Sequence, residues 1–567
     1  MFGLQWQDFL VIVAYLVIVT IIGVWMGKRV HNMGDFAMPR TFGKILMIFF
    51  SFGTGTNSDQ AVAVAAKSYT NGISGIWYSW LGIFTTPFFW IIAPIFRRLR
   101  AVTTADVFEA RFGRSMACLY AFLGFTKLMF SIGLSLKGGA IMLTAVSGGA
   151  ISGDVSIFVL TVLFVLYGTV GGLSAAVMTD LIQGLMTIAF SFMLLPLILN
   201  SIGGLEGIRS SIDNPEFFNL LSNEQIGLFF VTMLGILGLL MVIGAPHTMG
   251  NCAAGRNEMD GAVGFMVGSF VKRICTVAWA FVGLAGVVYF AGREINPEEV
   301  YGQVAREFLP RIGWGLLGFF LASMMAAMMS TCDALMVAAS ALFTQNLYKP
   351  LRPHRSAKHY LAVVRISGVV IVTGAVSIAY LLPGFIAGVE IYWKLSSIIG
   401  LALLMGLIWR GLTPAGAWAT TLGAYGTWLL LYYSPAVALI ARCPMVTEWG
   451  IIRQNASGVA SVYMPWQILF FLIAGITSGI VVSRFTRQIP HEKLDRFYAL
   501  IRTPIQPGEV VEESCVLPRG VNPPTPRHIF PGTSIELLIP SSRTVAGFAA
   551  GCAGVVALIG AVVWILS

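Results

Sequence analysis

Residues 51–60, SFGTGTNSDQ, place two glycines and seven hydrogen-bonding side chains between apolar runs. Glycine costs a helix interior about 1 kcal/mol relative to alanine, so the helix is expected to unwind at Gly53–Gly55. Freed carbonyl oxygens there would suit a hard cation, although a glycine kink that admits a neighbouring helix explains the same residues. A second apolar run is interrupted by VIGAPHTMGN (242–251), with Gly244, Pro246 and Gly250. A third, LASMMAAMMSTCDALMVAAS, puts Ala327, Ser330 and Thr331 at i, i+3 and i+4, on one helical face. Two hydroxyls beside the accessible carbonyl of a small residue would complete an oxygen cage. The same hydroxyls could instead bond back to carbonyls one turn earlier. His247, beside Pro246, is expected to satisfy a backbone group rather than bind metal. Asp59 either carries charge in a cavity or pairs with a lysine.

The elements that must hold these groups are membrane helices. The 567 residues are 57% hydrophobic and 11% charged, against about 25% charged in a soluble domain. The composition excludes a water-soluble core, and a net charge of +10 is too modest to suggest nucleic acid. Seven cysteines are scattered, with no CxxC or HExxH and no nucleophile–base spacing, so disulfide, zinc and enzyme readings lack support. The N-terminus MFGLQWQDFL has no basic region, so the first apolar run is expected to stay as a helix. Fourteen spans are expected, near 9–26, 42–68, 74–96, 115–147, 155–170, 179–200, 225–252, 262–291, 313–345, 360–382, 385–409, 413–434, 465–483 and 545–566. Basic loops follow spans 1, 3 and 9, with Lys28, Arg29 and Arg40, then Arg97, Arg98 and Arg100, then Lys349, Arg352, Arg355 and Lys358. They set one cytoplasmic side, with both termini outside. The stretch 485–543 falls on that side and turns proline-rich in its second half, as an irregular linker would. In the last span Gly547 and Gly551 stand at GxxxG spacing, a potential packing face. The two interrupted spans lie five spans apart, in corresponding positions of two halves, which is the sequence pointer to a secondary-transporter site.

Four segments carry a family resemblance. They are YGTVGGLSAAVMTDLIQ (167–183), GAPHTMGNCAAGRN (244–257), AAMMSTCDALMVAASALFTQNLYKP (326–350) and GLIWRGLTPAGAWATTLGA (406–424). Together they resemble the sodium:solute symporter family, which includes sodium/glucose and sodium/proline transporters, although Ala245 stands where glutamine is usual. The resemblance implies an all-α polytopic membrane protein of about 14 transmembrane helices around a five-plus-five inverted repeat core, the LeuT-like fold. Repeat one would run about 42–200 and repeat two about 225–409, inside a transporter domain 1–484. The linker 485–543 and a final transmembrane helix, 544–567, would follow. It implies a sodium site built from the carbonyls of Gly53, Thr56 and Ala327 and the hydroxyls of Ser330 and Thr331. Asp180 matches a carboxylate on the sodium exit route, or is simply an acid favoured at a helix N-terminus.

For the solute, the resemblance points to Gln60, Ser79, Met241, Arg273 and Trp393. Ser79 replaces a glutamate of the sugar branch and Met241 stands near its gating tyrosine, so a sugar fits poorly. Arg273 or Lys272 lies near a substrate-contacting lysine, which favours a carboxylate or amino acid. Lys127, Lys137 and Lys272 are expected mainly to snorkel toward helix ends; Lys394 has no assigned role. The function expected is sodium-coupled import of a small organic solute across a plasma (inner) membrane. The expected partners are solute, sodium and lipid, with no cofactor. The alternatives are proton coupling on the same fold and a transport-like sensor.

Overall fold

The computed structural model describes residues 4–28, 33–222, 226–382, 384–454, 460–511 and 513–567; Arg29, expected in a basic loop, lies outside them. All fourteen expected stretches contain helix, but nine helices among the described residues are long and apolar enough to cross a membrane, and 74–96 is a run of short pieces, Gly72–Ile76, Trp77–Trp80, Thr86–Phe88 and Phe89–Arg98. The others are shorter or broken. The stretch 42–68 divides into Lys44–Gly55 and Ser58–Asn71, and 225–252 into Leu228–Gly244 and Thr248–Ala253. The stretches 155–170 and 179–200 remain two helices, divided within Gly153–Met193 by the non-helical backbone of Gly172 (φ 59°, ψ −161°). That left-handed backbone suits glycine, and an added Cβ would lie 2.7 Å from the Phe36 ring.

Burial ranks the helices by depth. The most apolar window of the helix continuing from Leu316 is 100% buried, and that of Ser542–Leu566 only 17%. A helix that is apolar all round belongs either inside a bundle or against lipid; Leu316–Leu342 takes the first place and Ser542–Leu566 the second. The GxxxG pair does form a contact face. A Cβ on Gly547 would lie 2.1 Å from the Trp90 indole, and one on Gly551 would lie 3.0 Å from Pro87.

The basic loops gather at one end of the bundle. Arg40 donates to the carbonyls of Arg100 (3.0 Å) and Ala101 (2.8 Å). Thr103 donates to Asn346 Oδ1, and Asn346 Nδ2 donates to Asp106 Oδ1, each at 2.8 Å. The stretch 485–543 is strapped across this end. Its helix His491–Arg502 buries Leu494, Phe497 and Tyr498, and Tyr498 donates to the Gly406 carbonyl at 2.8 Å. Further on, Arg100 grips Glu509 at 2.6 Å, Ser514 donates to Asp106 at 2.6 Å, and Ile535 forms a bridge with Trp409.

Candidate functional site

The first break follows immediately after Gly55. Lys44–Gly55 stays helical, Thr56 and Asn57 are extended, and the helix restarts at Ser58. The glycines only weaken the helix. The position of the restart is set by Asn57, whose Oδ1 accepts the Ser58 N–H at 2.7 Å, as a strong N-cap residue does. Its Nδ2 donates to Ser135 Oγ, fixing the break against the helix Arg114–Ser147. The second break leaves Ala245 extended. Its open carbonyls find side chains: Tyr120 OH donates to Gly244 O at 2.8 Å and Thr248 Oγ1 to Val242 O at 2.7 Å. Such repair is what makes broken helices tolerable at membrane depth.

The expected oxygen ligands converge. Thr331 Oγ1 lies 2.9 Å from Gly53 O, 3.3 Å from Thr56 O and 3.3 Å from Ala327 O. The back-bonding alternative is therefore part of the arrangement, but the shortest contact crosses to the broken helix. Ser330 does not bond back; its Oγ donates to Asp180 Oδ1 at 2.5 Å. Asp180 is fully buried, eight residues past the Gly172 kink and on the helix Gly153–Met193. It is not in a first helical turn, so the helix-terminus reading of this acid gives way to a direct partner of Ser330. Among the described residues no three His, Cys, Asp or Glu side chains group as a metal site.

Beside this cluster lies a cavity of about 150 Å³. All five expected solute residues, Gln60, Ser79, Met241, Arg273 and Trp393, line it. Gln60 Nε2 donates to Gly55 O at 3.2 Å, Ser79 and Thr276 share a hydroxyl hydrogen bond of 3.0 Å, and Trp393 packs on Tyr78 with centroids 5.2 Å apart. Arg273, however, is engaged as a strut, its guanidinium donating to the Ser79 carbonyl while Trp80 Nε1 holds its own carbonyl at 3.1 Å.

The expectation of snorkelling fails for two lysines. Lys127 is 1% exposed and lines the cavity. Lys272 also lines it, donating to Gly55 O at 2.5 Å. Intramembrane cations usually face a bundle interior or cavity rather than hydrocarbon, and of the two only Lys272 finds a carbonyl there. Lys137 instead caps the Leu382 carbonyl at 2.7 Å, and Lys394 donates to Gln467 at 3.1 Å. His247 lines the cavity too, and its Nδ1 has no hydrogen-bond partner, against the expected backbone contact. The signal for Lys127 was present in the sequence: Lys127, Ser131 and Ser135 recur every four residues, a polar stripe on an otherwise apolar helix, and all three face the cavity.

The model of the sodium:solute symporter family matches residues 36–423. The sodium/pantothenate symporters of Haemophilus influenzae and Escherichia coli are each 26% identical to this chain. The first alignment covers 71% of this chain and 85% of the relative, the second 73% and 88%. Sodium/glucose cotransporter 2 of Rattus norvegicus is 23% identical over 87% of this chain and 81% of its own. Among solved structures, a substrate-bound, outward-open Na+-coupled sialic acid symporter superposes with a TM-score of 0.65. It covers 85% of this chain and 99% of its own at 18% identity, so the fold is shared. With two interrupted helices, a polar cavity beside them and a family match across most of its length, the chain belongs to the sodium:solute symporter family, as an integral membrane protein that imports solute together with sodium by alternating access.

Proposed function

We propose that sodium binds among the carbonyls of Gly53, Thr56 and Ala327 and the hydroxyls of Ser330 and Thr331, and that a small organic solute binds in the adjoining cavity. The observation carrying this reading is the approach of Thr331 Oγ1 to Gly53 O and Thr56 O. One interruption serves both substrates: Gly53 and Thr56 turn carbonyls toward Thr331, while Gly55 between them offers its carbonyl to Gln60 and Lys272 at the cavity wall. An ion that fixes the first two carbonyls fixes the third, which gives sodium a means of preparing the solute site. The cage would tie repeat one (42–200) to repeat two (225–409), and rocking of one against the rest would expose the cavity to either side in turn. Asp180, held by Ser330, would draw the ion out once the inner side opens. The basic end of the bundle, including 485–543, faces the cytoplasm in this reading, with both termini outside a plasma membrane.

The membrane potential adds about 2.3 kcal/mol per charge per 100 mV, enough for roughly fifty-fold accumulation. Losing one oxygen contact to a charge costs about 1.5–3 kcal/mol, so Thr331→Val should raise half-saturating sodium by roughly 10- to 150-fold, while Thr331→Ser stays near wild type. The measurement is solute uptake into proteoliposomes against sodium concentration, with choline as the replacing ion. Uptake indifferent to choline, or a Thr331→Val protein with unchanged sodium dependence, would refute the site.

A further inference from the structure

We infer that the transported solute carries an acidic group, a carboxylate, and that Lys127 is the side chain that selects it. The inference deepens the reading above, since it takes the cavity as the solute site. Among the described lining residues, three strong cations, Lys127, Lys272 and Arg273, face one carboxylate, Asp59. Two of the cations are occupied. Arg273 holds the Ser79 carbonyl. Lys272 holds the Gly55 carbonyl and is close enough to Asp59 for their charges to interact. Lys127 differs from both. Among the described residues its ammonium is buried without a hydrogen-bond acceptor, over the face of the Tyr392 ring at 5.3 Å and near the His247 imidazole.

A buried ammonium without a hydrogen-bond acceptor is costly to keep. The cost is recovered if an anion completes its coordination during transport, because charge-assisted hydrogen bonds are the strong class. His247, whose Nδ1 is also without a hydrogen-bond partner, lines the same cavity and would supply a second polar contact. A neutral polyol offers hydroxyls but no charge, and would leave the cation uncompensated.

The test is thermal stability of the full-length protein in detergent with sodium present. The probes are acetate, proline and pantothenate, set against acetamide, prolinamide, glucose and myo-inositol. At least one carboxylate should raise the melting temperature of the wild type, its amide should not, and Lys127→Gln should weaken that half-saturating effect about tenfold or more. Lys127→Arg should restore it, and Lys137→Gln, which loses only its bond to Leu382, should respond as wild type. Stabilisation by sodium alone is read in parallel and should survive in Lys127→Gln. If sodium stabilises but no carboxylate does, if neutral probes do equally well, or if Lys127→Gln keeps its full response, the assignment of an acidic solute falls and the sodium reading stands. If sodium itself has no effect on wild type while a carboxylate does, the sodium site falls and the role of Lys127 stands.

Discussion

Gly53 shows how little room the site leaves at the level of one residue. A Cβ there would sit 2.2 Å from Ser330 Oγ and 3.3 Å from Asp180 Oδ1. The hydroxyl in the way is itself held by Asp180, so it cannot swing aside without giving up that bond. Gly53→Ala should therefore raise half-saturating sodium about tenfold, the loss of roughly one charge-assisted contact. Gly426→Ala, where a Cβ meets nothing within 4 Å, should leave it unchanged. Sodium-dependent uptake by the two variants checks this, and equal behaviour would show that the site accommodates a methyl group at residue 53. The hydroxyl pair Ser330–Thr331 was legible in the sequence because helical spacing puts both near one face. That they divide their work, one toward Asp180 and one toward the broken helix, was not, since it depends on which neighbour stands opposite each.

At the level of elements, the interruption between Gly55 and Ser58 is positioned by its cap. Asn57 accepts from Ser58 N and donates to Ser135. Asn57→Ala removes both, at about 1 kcal/mol for the cap and about 1 kcal/mol for the buried hydrogen bond. Asn57→Asp keeps an acceptor for the cap but loses the donor to Ser135. Melting in detergent should rank wild type, then Asn57→Asp, then Asn57→Ala; equal melting of the two variants, both below wild type, would show that the Ser135 contact dominates. The existence of both broken helices could be read from glycine and proline placed inside apolar runs. Their registers could not, because glycine marks where a helix is weak while capping and tertiary contacts decide where it stops and restarts.

Over the whole molecule, the strap 485–543 reaches back to loops more than 400 residues earlier. Its most buried ion pair among the described residues is Arg100 with Glu509, 0% and 5% exposed at the side chain. Burial alone would push the Glu509 carboxyl up. Hydrogen bonds from Arg100 and from the Gln506 N–H outweigh burial and hold it below the ordinary carboxylate range. A lowered native pKa means the clasp contributes fully above the unfolded value, about 4.3, and is lost as pH falls through the native one. Amide exchange across residues 504–511 should accordingly accelerate below about pH 4. Glu509→Gln should produce the same acceleration at neutral pH, with a stability cost of about 3–5 kcal/mol for a buried charge left unpaired. Unchanged exchange in the variant would mean that the neighbouring contacts of Ser514 and Tyr498 hold the strap without it.

The amino-acid order by itself determined the membrane class, the approximate helices, the paired interruptions and the residues able to offer oxygen to a cation, because apolar length, periodicity and helix-breaking residues act locally along the chain. Tertiary structure alone decided which of four intramembrane lysines enter the cavity and how far each is already engaged. Lys127, Lys137, Lys272 and Lys394 are equivalent as charges within apolar sequence. Only packing gives Lys137 a carbonyl, Lys394 a glutamine and Lys272 the edge of the broken helix, leaving Lys127 at the cavity without a hydrogen-bond acceptor among the described residues. The energy of a buried charge is set by whatever the fold brings within a few ångströms of it, and separation along the chain carries no record of that distance.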